Sequence, residues 1–484
     1  MIPMSLEAIA DVVGGMVHDD PDRVTVTGPA FLDSRRPEAG GLFAAFSGEH
    51  VDGHEYAGAA VAGGAAAVLA GRPVGVPAVV VDDQQEALAR LAHHVLGSLA
   101  NVRVLAVTGS QGKTSTKDEL AAVLASAAPT VATQGSFNNE LGLPLTVLRA
   151  DERTRFLLLE MGARGIGHIE ALCRVARPDV SVVLNVGKAH LGEFGTQADI
   201  ATAKGELVEA LEEDGIAVLN ADDPLVSAMS GRTVGRVLTF GTSPDADVRL
   251  SGLRLDDQGR PAFALTHAGA TVDLALRLVG EHQAMNAAAA AAGALAVDIP
   301  LEDACSVLAE VESLSQWRME VRHRADGLTV VNDAYNANPD SMAAALSSLV
   351  AIGRGRPRPA RTIAVLGEMR ELGESSDAEH EAVGRLAVRL GVQQLLVVGE
   401  AARALHRGAL EERLQHGAPQ GRTDVGEGEE PVFVEGNDEA VAWLDREVRS
   451  GDVVLVKASR GARLDTVAQA LLDSPVDPGT EAAR

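Results

Sequence analysis

One stretch limits what this chain can become more than any other. Val104-Leu-Ala-Val-Thr108 has the unbroken apolar character of a strand buried on both faces. It runs into Gly109-Ser110-Gln111-Gly112, and Lys113-Thr114 then open a helical pattern. A strand delivered through a glycine turn into a helix is a phosphate-binding layout, because backbone N–H groups converge there and the helix dipole favours anions. Lys113 would reach the β- and γ-phosphates, Thr114 would ligate Mg²⁺, and Thr108 to Thr114 would together hold ATP. The full Walker spacing wants glycine at 107, where Val107 stands, so the form is a short one. The alternative is a plain strand–helix turn.

The rest of the chain extends this pattern. Strands are expected at 104–108, 156–160, 180–186 and 216–220, separated by helical stretches, which predicts parallel βαβ units. Shorter strands and turns alternate over 236–279, and 287–296 is an Ala-rich helix. A second run of strands is expected at 328–332, 362–366, 394–399, 432–434 and 453–457, giving a doubly wound sheet. Ahead of both, 1–100 mixes short apolar runs with glycine turns, with a strand at 79–81 and a helix over 84–99. The expected class is therefore α/β in three domains: a small α/β domain over 1–100, a central P-loop-type parallel-sheet ATPase domain over 101–318, and a C-terminal Rossmann-like domain over 319–484. The stretches 353–359 and 417–431 read as loops and 473–484 as a loose tail.

Charge narrows the partners. A net charge of −26 disfavours polyanions, so neither nucleic acid nor an anionic membrane surface is expected as a partner, and the longest small-apolar stretch, Ala57 to Gly71, is glycine-broken and too short for membrane insertion. Leu6, Ile9 and Val13 recur at helical spacing with no basic segment before them, so the start reads as an amphipathic helix rather than a signal peptide. Two cysteines, Cys173 and Cys305, are too few for a disulfide framework, which points to a reducing, cytoplasmic setting. Of 42 basic residues only five are lysines: Lys113, Lys117, Lys188, Lys204 and Lys457. Where arginine is so preferred, a surviving lysine suggests a site needing a compact ammonium that can become neutral when buried. Chance placement is the plainer explanation.

Phosphoryl transfer asks for metal ligands near the turn. Glu160 ends the 156–160 strand and could hold metal, or be an ordinary solvated strand-end carboxylate. His190 lies just past the next strand's carboxyl end, where ligands bind in open α/β sheets, although an isolated loop histidine is more often structural. Lys204 lies on the following helix and could form a CO₂ adduct that supplies a carboxylate to metal, which arginine could not.

Together these residues resemble the Mur ligase superfamily, ATP-dependent amino-acid and peptide ligases of cell-wall precursor synthesis. Asp33-Ser34-Arg35, Gly41-Leu-Phe43 and Asp52-Gly53-His54-Glu-Tyr56 resemble that family's nucleotide-sugar domain. Further matching stretches are Phe137-Asn138-Asn139-Glu140, Asp333-Ala-Tyr335-Asn336-Ala-Asn338-Pro339, and Leu366-Gly-Glu-Met369-Arg-Glu371-Leu-Gly373. The set is most similar to the branch that joins D-alanyl-D-alanine to UDP-N-acetylmuramoyl-tripeptide.

The resemblance implies a monomeric ligase using ATP and two Mg²⁺ ions, and acting through an acyl phosphate. Lys113, Glu160, His190 and carbamylated Lys204 would be its catalytic set, with Thr114 and Glu160 on one metal and His190 and Lys204 on the other. Asn286, Arg318, Asp333 and Tyr335 would complete the ATP site. Asp33, Ser34, Arg35, Phe43, Asp52, Gly53, His54, Asn138, Asn139, Asn336, Asn338, Lys457 and Arg460 would contact the two substrates. Gln283, Trp317 and Ala458 depart from the family's usual residues, which touches the adenine contacts rather than the metal ligands. Rival readings are a single-amino-acid or folylpolyglutamate-type ligase, a non-catalytic nucleotide-binding protein on the same scaffold, and a generic P-loop ATPase.

Overall fold

The computed structural model describes residues 1–484 apart from 21–22, 49–50, 188–190, 313–314, 357–358, 417–428 and 475–484. Three larger sheets follow one another along the chain. In the first, Ala30–Phe31, Leu42–Ala44, Ala67–Ala70 and Ala78–Val80 run parallel, with Met16–His18 antiparallel at one edge. The amphipathic start forms the helix Leu6–Val13, which Ser5 caps by accepting a hydrogen bond from the Ala8 N–H.

The second sheet has nine strands. From one edge the order is Thr130–Ala132, Phe156–Glu160, Arg103–Thr108, Val180–Val183, Ile216–Asn220, Arg236–Gly241 and Val248–Leu255, all parallel. Pro261–His267 and Ala270–Ala275 then add an antiparallel pair, so part of 236–279 extends this sheet. The Ala-rich helix is longer than expected, His282–Leu295, and lies against the helix Lys113–Ala127. Its small side chains permit that approach: a Cβ on Gly293 would meet Leu120 at 2.9 Å. With few aromatics available, close contact between small residues replaces bulk as the source of core density.

The third sheet orders Glu320–His323, Thr329–Asn332, Val453–Lys457, Thr362–Leu366, Gln394–Val398 and Val432–Val434, all parallel except the first. The expected loop 417–431 lies largely outside the described residues.

The two domain junctions differ in character. A single apolar cluster runs from Leu6, Leu88 and Leu91 of the first domain into Val104, Leu157 and Leu207 of the second. The third domain keeps most of its apolar residues in clusters of its own, and its best-defined bonds to the centre are polar. An interface of that kind permits relative motion, whereas a shared core resists it.

Candidate active site

Two ligand edges can be built from the strands upward, each at the carboxyl ends of parallel strands. On the first sheet, Asp33-Ser34-Arg35 follows Ala30–Phe31, Asp52-Gly53-His54 comes after Leu42–Ala44, and Gly71-Arg72 follows Ala67–Ala70. Arg35 is ion-paired with Asp33 at 2.8 Å, which holds the Asp33 carboxyl down at about 2. Asp52 caps the turn Gly53–Tyr56 and bonds both Arg72 and His54 Nδ1 at 2.7 Å, so its carboxyl also lies well below the usual range. His54 Nε2 accepts the Gly71 N–H at 2.9 Å, which leaves the proton on Nδ1. Phe43 does not reach this edge. Its side chain packs inside the domain against Phe31, with ring centroids 5.5 Å apart, and alternation along the strand turns it to the core.

On the second sheet, the glycine turn leads into the helix Lys113–Ala127, whose first N–H groups have no side-chain cap. Gly112 has φ +79°, and a Cβ there would come within 2.6 Å of Asn286 Oδ1, so only glycine fits. Lys113 Nζ donates to the Gly109 carbonyl at 2.7 Å, folding its ammonium back over the turn. Asn185, two residues past the strand Val180–Val183, accepts the Ser110 and Gln111 N–H groups on Oδ1 at 3.0 Å each. It thereby holds the turn in shape. Sequence reasoning gave Asn185 no role; its position past a strand end beside the turn was the available signal.

A cleft of about 450 Å³ joins this turn to the third domain. It is lined by Ser110–Thr114, Asn138, Asn139, Glu160, Lys204 and Asn286 from the centre, and by Arg318, Asp333, Tyr335, Asn336, Asn338, Lys457 and Arg460 across the junction. Thr108 lies beneath the cleft, its hydroxyl bonded to the Met161 carbonyl at 2.8 Å. His190 and its neighbour Lys188 fall outside the described residues.

The cleft's charges are poorly compensated. Glu160 is buried; Asn138 Nδ2 donates to its Oε1 at 2.7 Å, while Oε2 has no partner among the described residues. Lys204 is buried within the helix Gln197–Glu209, and its side chain makes no hydrogen bond or ion pair among the described residues. Burial pushes its ammonium well below the ordinary lysine range, and the nearby charge of Lys113 pushes it further. Lys113 is lowered by burial, with Glu160 opposing and Arg318 adding to the shift.

Across the junction, Arg318 donates to Thr114 Oγ1 at 3.2 Å and its guanidinium lies 4.3 Å from the Tyr335 ring centroid. Tyr335 is hydrogen-bonded in turn to Ser136 of the central domain. Asp333 pairs with Lys457 at 2.6 Å, and Lys457 also donates to the Asn336 carbonyl. Burial lowers Lys457, an effect that Asp333 opposes. Asn338 caps the helix Pro339–Gly355 through a reciprocal pair with Ser341. Arg460 stacks on Trp317 at 3.9 Å, and Trp317 itself has φ +58°.

Among the described residues no group of three or more His, Cys, Asp or Glu is gathered to hold a metal ion. The cleft nevertheless suits a cation bound jointly with a triphosphate. A buried carboxylate oxygen of Glu160 lacks a partner among the described residues, and a guanidinium already stands against the hydroxyl of Thr114. Among the described residues, no helix is long and apolar enough to cross a membrane.

Three family descriptions match the chain: Mur ligase family, catalytic domain, over 31–103; Mur ligase middle domain over 107–294; and Mur ligase, glutamate ligase domain, over 317–460. The UDP-N-acetylmuramoyl-tripeptide–D-alanyl-D-alanine ligase of Mycobacterium tuberculosis strain H37Rv is 46% identical over 501 residues, covering 98% of each chain. The Bacillus subtilis ligase of the same name is 34% identical, covering 98% of this chain and all of its own. Among solved structures, MurF from Acinetobacter baumannii superposes with a TM-score of 0.82 at 28% identity, covering 98% of this chain and 99% of its own. MurF from Thermotoga maritima in complex with ADP gives 0.76 at 29%, covering 92% and 97%. Motifs, fold and relatives agree: the chain belongs to the Mur ligase family.

Proposed function

We propose that this chain joins D-alanyl-D-alanine to UDP-N-acetylmuramoyl-tripeptide at the expense of ATP, a step in building peptidoglycan precursors. The observation that carries this reading is one cleft in which the glycine turn, Glu160 and Lys204 face Arg318 at the junction and Asp333 and Lys457 of the next domain. The first domain takes the uridine-linked substrate through Asp33–Arg35 and Asp52–His54, the second takes ATP, and the third takes the dipeptide, with divisions near residues 100 and 318.

A carboxylate is a poor acyl donor, because its leaving group would be oxide. Transfer of the γ-phosphoryl group to the tripeptide carboxylate forms the new O–P bond and releases ADP. The neutral amine of D-alanyl-D-alanine then attacks the acyl carbon, and phosphate leaves from the tetrahedral intermediate as the amide forms. Lys113 neutralises charge on the transferring group, and the N–H groups at the start of its helix orient the triphosphate. Arg318 and Tyr335 bring the third domain over the nucleotide and exclude water, which would otherwise hydrolyse the acyl phosphate.

Thr114, Glu160, His190 and Lys204 would hold two Mg²⁺ ions, which when bound spread the phosphate charge as Lewis acids. Lys204 takes part as a carbamate: its neutral amine forms an N–C bond with CO₂ and loses a proton, turning a costly buried cation into a carboxylate-like ligand. Its burial without a partner supports that role. The enzyme acts as a monomer in the cytoplasm, and the reducing setting of that compartment fits the two buried free thiols.

The test is phosphate release with UDP-N-acetylmuramoyl-tripeptide and ATP, with and without D-alanyl-D-alanine. Release dependent on the dipeptide is expected. Equal release with single amino acids, or none with any acceptor, would overturn the assignment.

A further inference from the structure

Three of the rare lysines, Lys113, Lys204 and Lys457, line the cleft; of the described lysines Lys117 is left over. It sits one turn beyond Lys113 on the same helix and is 2% exposed. Its Nζ donates to the Thr133 carbonyl at 2.8 Å and, more weakly, to the Gly135 carbonyl at 3.4 Å, and pairs with Asp118 Oδ1 at 2.5 Å. The other Asp118 oxygen accepts both the N–H and the hydroxyl of Ser315 at 2.8 Å each.

These bonds lead to one place from two sides. The carbonyls at 133 and 135 belong to the loop that carries Ser136, and Ser136 holds the Tyr335 hydroxyl. Ser315 lies three residues ahead of Arg318, in the segment crossing from the central to the third domain. Tyr335 and Arg318 stack on each other, the Tyr335 N–H donates to the Trp317 carbonyl at 3.3 Å, and Arg318 returns to Thr114 on the starting helix. A buried ammonium with a paired carboxylate thus braces both supports of one clasp. Arginine is ill suited here: its broad planar fork does not match two carbonyls and a carboxylate converging on one point.

We infer that Lys117 and Asp118 are positioning residues that tie the phosphate-binding helix to the Arg318–Tyr335 clasp, setting how well the third domain meets ATP. The inference rests on the reading of Arg318 as a nucleotide contact. Neither Lys117 nor Asp118 lines the cleft, so they act through that clasp and not on the nucleotide directly.

The test uses the full chain carrying Asp118→Ala, Ser315→Ala, both together, Lys117→Met and Arg318→Ala. KM is measured separately for ATP, the uridine-linked tripeptide and the dipeptide, with Tm for each variant. Asp118→Ala should raise KM for ATP by roughly tenfold, the scale of a lost charged hydrogen bond, and leave KM for the uridine-linked substrate unchanged. Ser315→Ala, which keeps the backbone donor, should give a smaller rise, and the double variant should be no worse than Asp118→Ala alone. A purely structural role would lower Tm while leaving the folded enzyme's KM for ATP as in wild type, or raise all three constants together, and either result overturns the inference. If Lys117→Met fails to fold, Asp118→Ala and Ser315→Ala decide. Unchanged KM for ATP in Arg318→Ala would sink the nucleotide-contact reading itself; a rise there with none in Asp118→Ala would sink the inference alone.

Discussion

The two ligand edges share a topology and differ in electrostatics. At the first sheet each carboxylate comes with its own partner: Asp33 with Arg35, and Asp52 with Arg72 and His54. At the second, Lys204 is buried with no partner among the described residues, and an oxygen of Glu160 is orphaned. A finished set of bonds shapes turns. An unfinished one costs stability until a ligand of complementary charge completes it. The contrast teaches that the bonds at the first edge are already formed, whereas the cleft beside the glycine turn keeps buried charges open to a ligand, as the proposed nucleotide site would.

The strongest way to break this contrast is Lys204→Met. Turnover should fall on the order of 10²–10³-fold, the scale for losing one electrostatic contact to a reacting group. Lys204→Ala should lose activity likewise and regain part of it with added short carboxylic acids. Stability should move the other way. The folded protein holds Lys204 neutral far below its unfolded range, so wild-type stability rises with pH up to the ordinary lysine range. Lys204→Met removes that slope and should raise Tm near neutral pH. A lower Tm with full activity would refute both the site and the contrast.

Glu160→Gln should reduce turnover by about a hundredfold while keeping the bond from Asn138, and, because it removes a buried, incompletely bonded charge, should not lower Tm. A converse test is Glu119, fully buried with both carboxylate oxygens unpartnered among the described residues, yet not among the cleft residues. Burial raises its pKa well above the ordinary range, with Asp118 adding. The folded state therefore holds the proton more tightly, and stability declines as pH climbs from the unfolded carboxylate range towards the folded one. Glu119→Leu should remove that decline and stabilise by about 1–2 kcal/mol at neutral pH, with kcat unchanged. Lost activity there would mean that orphaned charge does not distinguish site from defect. The smallest effect belongs to the first edge: Asp52→Asn should raise KM for the uridine-linked substrate a few-fold and leave KM for ATP alone.

Much of this architecture was legible because local pattern and global layout agree. The strands Phe156–Glu160, Ile216–Asn220, Thr362–Leu366, Val432–Val434 and Val453–Lys457 fall where apolar runs between turn residues put them. The sequence reading ran the strand Val180–Val183 on to 186; its end is set instead by Asn185 turning to the glycine loop, a contact 75 residues back along the chain that periodicity does not encode. Glycine turn, strand-end carboxylate and rare lysines were visible as residue types. Phe43 was misleading for the same reason: a motif position says that a residue matters, not which way its side chain points. Lys117, Asp118 and Ser315 were illegible as a unit, since their connection exists only once the segment before Arg318 folds against the helix.

The stacking of Arg460 on Trp317 also has a practical use. The chain has two indoles, and the other, Trp443, packs partly buried among the apolar residues of the third domain. Trp317 therefore stands as a native fluorophore between two residues that line the cleft, with Arg460 over its face and Arg318 next in the chain. In a Trp443→Phe background its emission would come from a single chromophore, letting titration of either substrate be followed optically without attaching a dye.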